Sequence, residues 1–248
     1  MCISSMTLIG SGAQADVYLY EGKALKVFKA DYVQANGRYE AELQDKAYKK
    51  GLPVPQIYEV IELNGRVAIV MEYVPGKSIG DMMLENMGKA HELLTLSVDV
   101  QIQVHKTNAD DFPNQKDKFR CNISMNPYLK NEQRQRLLKL LHRFKSDDRL
   151  CHGDFHMLNL IETSQGIKII DWVDASGGSV AADVCRSYLL YLLYRKEIAE
   201  AYLDIYCDKA NIIKRDVLAW LPIAAGARLN ENVTAQDVEL LMNLVDGR

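Results

Sequence analysis

The sequence predicts an α+β chain in two lobes: a small antiparallel sheet carrying one helix over residues 1–75, then a larger, mainly helical lobe over residues 76–248. Three observations predict it. Before Pro75-Gly76, short apolar runs are punctuated by two hairpin signals, Glu21-Gly22-Lys23 and Asn64-Gly65. Only one stretch of that part, Gly37 to Lys50, has helical composition, and it runs into Gly51, a good helix stop. Beyond Gly76 the texture turns helical, interrupted by a β-rich island from Leu150 to Asp171.

In chain order, Leu8 to Leu19 and Ala24 to Phe28 read as strands, followed by the Gly37–Lys50 helix. Pro53 and Pro55 forbid its continuation, and two further strands come after it over 56–62 and 66–73. Helices are expected over 79–96, 98–105 and 131–144. The polar stretch 108–122 (NADDFPNQKDKFRCN) reads as a mobile loop. Within the island, Thr163-Ser164-Gln165-Gly166 marks a hairpin turn, and helical patterns resume over 181–207 and 235–245.

Composition narrows the function. The 248 residues are 48% apolar and 25% charged, enough for a large core, and the net charge of −3 argues against a nucleic-acid or membrane-surface partner. The longest apolar runs, such as Tyr188 to Tyr194, fall far short of the roughly 20 residues that span a bilayer. The first residues, MCISSMTLIG, lack the charged and apolar regions of a secretory leader. Five scattered cysteines (Cys2, Cys121, Cys151, Cys185, Cys207) suit reduced thiols in a cytoplasm.

Gly10-Ser11-Gly12-Ala13-Gln14-Ala15 lacks the Gly-Lys-Ser/Thr ending of a Walker A loop, and it is not succeeded by the helix that a dinucleotide fingerprint requires. The next residues, DVYLY and then ALKVF, have extended character. The loop therefore reads as a strand–turn–strand lid whose small residues let backbone N–H groups approach phosphate oxygens. Lys26 sits mid-strand between apolar neighbours. Either it snorkels to solvent at a sheet edge, or it faces inward to neutralise phosphates and needs a carboxylate partner, for which the helix offers Glu40 and Glu42.

The densest chemistry is CHGDFHMLN, from Cys151 to Asn159, with Asp171 twelve residues later. Pairing 159–162 with 167–170 through the Gly166 turn brings Asn159 and Asp171 to one end, with Asp154 on the loop leading in. Such hard oxygen donors suit Mg²⁺. Cys151, His152 and His156 raise the question of zinc, but no second Cys/His pair lies nearby. Asp154 and Asp171 as mere turn caps would leave unexplained why Asp, Asn and Asp recur beside a glycine loop and a mid-strand lysine.

HGDFHMLN with IIDW shortly after it resembles the HGDxHxxN and IDW motifs of aminoglycoside phosphotransferase-like and choline-kinase-like small-molecule kinases, whose fold is protein-kinase-like. The likeness spans nearly the whole chain, through GLPVP, MEYV, Ala182-Asp183-Val184 and Trp220-Leu221-Pro222. It implies ATP and Mg²⁺ as cofactors. Asp154 would orient or deprotonate an acceptor hydroxyl, and Asn159 and Asp171 would hold the metal. Lys26 would hold the α- and β-phosphates under the Gly10-Ser11-Gly12 loop, braced by Glu42, which the family spacing favours over Glu40. The backbone from Glu72 to Val74 would read the adenine edge, while His152 and Asp183 would shape the catalytic loop. HGD in place of HRD, DWV in place of DFG and the lack of an APE segment weigh against a protein substrate.

The expected activity is transfer of the ATP γ-phosphate to a hydroxyl of a small molecule. A nucleotide-binding regulatory module with little catalysis, or an atypical protein kinase, is the alternative. Residues 151–248 hold 14 acidic and 9 basic residues, which favours a cationic acceptor, with Asp174, Asp204 and Glu231 as candidate contacts. Tyr188, Tyr191 and Tyr194 share one helix face and are expected to pack in the core rather than to line a cation site.

Overall fold

The computed structural model describes residues 6–231 and 233–247. The chain opens with β1 (Thr7–Ser11), β2 (Ala15–Tyr20), β3 (Lys23–Phe28), α1 (Gln34–Lys49), β4 (Ile57–Leu63), β5 (Arg66–Glu72), β6 (Lys77–Ser78) and α2 (Ile79–Glu85). It continues through α3 (Ala90–His105), α4 (Gln115–Met125), α5 (Asn131–Arg143), β7 (Arg149–Cys151), β8 (Leu160–Thr163), β9 (Gly166–Ile169) and β10 (Ser176–Gly178). The last helices are α6 (Val180–Tyr194), α7 (Lys196–Ala210), α8 (Lys214–Leu218), α9 (Leu221–Arg228) and α10 (Ala235–Asp246).

These elements form two compact units, and neither is a single run of the chain. The first extends to Leu84 and takes in Met157–Asp174; the second is Glu85–His156 with the chain from Ala175 onward. The expected division at 75/76 thus falls inside the first unit, because β6 pairs with β8, Lys77 opposite Glu162 and Ser78 opposite Ile161.

In the first unit, β1-β2-β3-β5-β4 make one antiparallel sheet. Both expected hairpins close on left-handed pairs, Glu21-Gly22 (φ 48° and 74°) and Asn64-Gly65 (φ 52° and 75°). That is the geometry whose twist matches the flanking strands. The helix α1 packs on β5, and its Gln34 amide donates to the carbonyls of Lys29 and Tyr32 while accepting the Val67 N–H. The β8–β9 hairpin has the expected register, Leu160 opposite Ile169, and the Ile170 N–H donates to the Asn159 carbonyl at 3.0 Å.

The second unit is helical, with β7 and β10 paired just before the His152–Asn159 stretch. Three sequence expectations change there. The supposed loop 108–122 runs into α4 from Gln115 on, because Asn114 caps the helix by accepting from the Lys116 and Asp117 N–H groups and Ile123 is buried. The helix expected over 181–207 is two, broken at Arg195, whose extended backbone (φ −160°) starts α7. The break expected near Ser97 lies instead at 86–89, where the Asn86 side chain caps a short 3₁₀ turn. Buried Trp220, stacked on Phe144 at 4.1 Å, anchors α8 and α9, which the sequence pattern did not reveal.

Candidate active site

In the first unit, Lys26 turns inward from β3, with only 15% of its side chain exposed. Its ammonium lies 2.5 Å from Glu40 Oε1 and 3.2 Å from Asp171 Oδ1. Burial alone would lower the lysine pKa, but the charges of Asp171 and Glu40 overcome it and hold Lys26 firmly protonated. Burial pushes the Glu40 carboxyl up, with Lys26 pulling against it.

The partner is Glu40, not the expected Glu42. The buried face of α1 takes in Gly37, Glu40, Ala41, Leu43, Gln44 and Ala47, spaced at three and four residues as on one side of a helix. Glu42 lies two residues and about 200° further round. It stands 61% exposed and pairs with Lys46 one turn on.

Asp171 leaves β9 in left-handed backbone (φ 65°), which aspartate tolerates better than most residues, and buried Trp172 comes next, its indole N–H donating to the Ile169 carbonyl. Asn159 ends a 3₁₀ turn beside it and is buried. The Ile170 N–H bond to the Asn159 carbonyl ties the two segments together, and an Asp carboxylate and an Asn amide are hard oxygen donors. That chemistry fits Mg²⁺ rather than a softer metal.

The glycine loop is the expected turn between β1 and β2. Gly12 N–H donates to the Ala15 carbonyl at 2.9 Å, Ser11 Oγ donates to Asp16 at 2.6 Å, and Lys29 donates to the Gly12 carbonyl. Neither Gly10 nor Gly12 is required by internal packing: an added Cβ would meet nothing closer than 3.7 Å and 3.5 Å. At the end of β5, the Glu72 N–H is taken by the Gln56 carbonyl, and its carboxylate meets Lys168 at 2.9 Å, so any adenine contact falls to other backbone groups of 72–74.

Asp154 belongs to the second unit, on the loop after β7. Its Oδ2 lies 3.4 Å from His156 Nε2 and its Oδ1 3.7 Å from Arg186 Nη2. Burial disfavours its charge, but the His156 hydrogen bond and the Arg186 charge outweigh it and hold the carboxyl well below the usual carboxylate range. Asp183 is fully buried; it accepts the Gly153 N–H at 2.8 Å and the His152 N–H at 3.3 Å, and faces His105 Nε2 at 2.9 Å. His105, Cys151 and Asp183 are close enough to suggest a metal. However, both His105 nitrogens are already engaged, one by the Tyr206 hydroxyl at 2.6 Å, and burial pushes the Cys151 thiol far up, away from the thiolate a metal needs.

Sequence reasoning missed Arg186. The available signal was that Asp183 and Arg186 are the only charged residues of α6, one turn apart in VAADVCRSYLLYLLY. Of the proposed acceptor contacts, Glu231 binds Arg186 and Arg228, while Asp204, exposed, pairs with Lys214 at the surface. Tyr188 and Tyr191 are core residues as expected, Tyr191 against Tyr202, whereas Tyr194 is exposed.

The described helices include none long and apolar enough to cross a membrane. No curated protein sequence matches the chain. Among solved structures, choline kinase LicA from Streptococcus pneumoniae is similar with a TM-score of 0.67 at 16% identity, covering 98% of this chain and 92% of its own. The amicoumacin kinase hAmiN, in complex with AMP-PNP and Ca²⁺, gives 0.64 at 14%, covering 98% and 87%. The streptomycin–ATP complex of APH(2")-IIa gives 0.61 at 18%, covering 98% and 91%. These likenesses show the fold, that of the protein-kinase-like small-molecule kinases. A model of the phosphotransferase enzyme family matches residues 5–221, so the chain belongs to the phosphotransferase enzyme family.

Proposed function

We propose that this phosphotransferase moves the γ-phosphate of ATP to a hydroxyl of a small molecule in the cytoplasm. The observation that carries the reading is the buried lysine between two carboxylates, Lys26 with Glu40 and Asp171. A permanently charged ammonium in that position suits the α- and β-phosphates, and Asp171 with Asn159 would hold Mg²⁺. The metal, when bound, supplies positive charge to the β- and γ-phosphate oxygens. Gly10 and Gly12, which the fold itself does not need, keep the β1–β2 turn free of side chains where phosphates approach.

Asp154 accepts the hydrogen bond of the acceptor hydroxyl and aims its oxygen at the γ-phosphorus. The new P–O bond forms as the bond from that phosphorus to the β–γ bridging oxygen breaks; ADP leaves, and the hydroxyl proton passes to Asp154. A carboxylate held this far below its ordinary pKa is a weak base. That suffices on a loose path, where little proton transfer is needed early. With Glu231 held by Arg186 and Arg228, an amine on the acceptor is drawn by the net acidity of residues 151–248 rather than by that carboxylate.

The test is ADP release in a coupled assay over a panel of amino-alcohols, aminocyclitols and neutral sugars. Acceptor-dependent ADP release that vanishes without Mg²⁺ is expected; ATP binding with no transfer to any acceptor or to water would favour a regulatory module instead.

A further inference from the structure

Arg186 is an unusual residue for its position. It lies in helix α6, where Asp183 is the only other charged residue, with 8% of its side chain exposed, and a buried guanidinium is stable only when its donors are matched. Its Nε donates to the Gly153 carbonyl at 3.2 Å. Its Nη2 donates to Glu231 Oε2 at 2.7 Å and stands 3.7 Å from Asp154 Oδ1. Gly153 is thereby gripped at both ends, its N–H by Asp183 and its carbonyl by Arg186, in a left-handed backbone (φ 82°) just before Asp154. Glu231, shared with Arg228, ties the guanidinium to the segment after α9.

We propose that Arg186, tethered by Glu231, is a positioning residue for phosphoryl transfer: it fixes the direction of the Asp154 carboxylate by holding one of its oxygens and the backbone that carries it. Arg186 touches neither ATP nor acceptor in this role. It acts through Asp154, so the inference rests on the reading of Asp154 given above. The planar fork matters as much as the charge, because Nε serves the Gly153 carbonyl while Nη2, held at a fixed angle to it, faces both carboxylates.

The experiment is steady-state kinetics on Arg186→Met, Arg186→Lys, Glu231→Gln and Asp154→Asn, alone and with each of the first three combined with Asp154→Asn. Misplacing a reacting group by about an ångström costs up to about 10²-fold. Arg186→Met is therefore expected to lower kcat by about 10–10²-fold with KM for ATP unchanged. Arg186→Lys should recover part of the loss, and Glu231→Gln should show a smaller one. In the Asp154→Asn background none of them should cost anything further, because the group they position is already gone.

Should Arg186→Met fail to fold, Arg186→Lys and Glu231→Gln carry the same cycle. Additive losses in the Asp154→Asn background, a matching rise in KM for ATP, or near-normal kcat in the Arg186 and Glu231 variants would overturn the proposal. Full activity in Asp154→Asn would overturn the reading of Asp154 itself.

Discussion

The two charged clusters are built on opposite plans. In the first unit a cation, Lys26, is held between two carboxylates contributed by α1 and by the turn after β9. In the second an anion, Asp154, is held between His156 and Arg186. The first cluster has an accessible part: Asp171 is 38% exposed and Lys26 carries more partners than its charge needs, the arrangement on which the proposed sharing with a phosphate and a metal rests. The second pairs its carboxylate with two cationic side chains, which hold it ionised. A phosphotransferase with a loose transition state needs both, a pliant place for mobile phosphates and a rigid place for the attacking hydroxyl.

The largest expected effect lies on the rigid side. Asp154→Ala should lower kcat by about 10²–10⁴-fold, the range for a positioned acid–base group, while nucleotide affinity measured by titration calorimetry stays unchanged. An equal loss of ATP affinity would show that the two clusters do not divide the work in this way. Asp183→Ala leaves His105 and the 152–153 backbone groups without their buried partner, for an expected loss of about 3–5 kcal/mol in urea unfolding.

The same residue gives a pH test. Burial raises the Asp183 pKa, but the hydrogen bond and charge of His105 and the Gly153 N–H outweigh it, so the folded-state value is depressed. A depressed carboxylate contributes stability that is fully present above its unfolded pKa, about 4, and is lost as pH falls through the folded value. Stability should therefore hold from pH 7 to 5 as far as Asp183 is concerned, and fall below about 4. In Asp183→Asn that acid dependence should shrink. An unchanged acid slope would place its source elsewhere.

Much of this division was legible in the residues. Periodicity and turn chemistry located the sheet, because Glu21-Gly22 and Asn64-Gly65 allow few alternatives, and the 159–171 hairpin could be read from one glycine turn. Glu40 was harder. Family spacing pointed to Glu42, whereas the helix period of Gly37, Ala41, Gln44 and Ala47 pointed to Glu40, and burial decided. Arg186 and Glu231 lie 45 residues apart and meet only through tertiary packing, which no local pattern encodes. α4 was hidden because its polar sequence buries little beyond Gln115 and Ile123, so its cap, not its hydrophobicity, defines it.

The pliant side gives smaller contrasts. Gly76 and Gly12 differ in what demands them: a Cβ at Gly76 would fall 2.0 Å from the Glu162 carbonyl, whereas one at Gly12 meets only Ala15 at 3.5 Å. Gly76→Ala should lower the melting temperature by several degrees, an effect on the order of 1–3 kcal/mol. Gly12→Ala should leave the melting temperature alone and raise KM for ATP several-fold; unchanged KM would remove the β1–β2 turn from the phosphate site.

The last contrast lies within α1. Glu42→Gln removes an exposed i, i+4 pair with Lys46, about 0.3–0.5 kcal/mol, and should leave kcat and KM untouched. Glu40→Gln frees Lys26 from its closest carboxylate and should raise KM for ATP about tenfold. Equal kinetics in the two variants would mean that bracing Lys26 plays no part in holding the nucleotide.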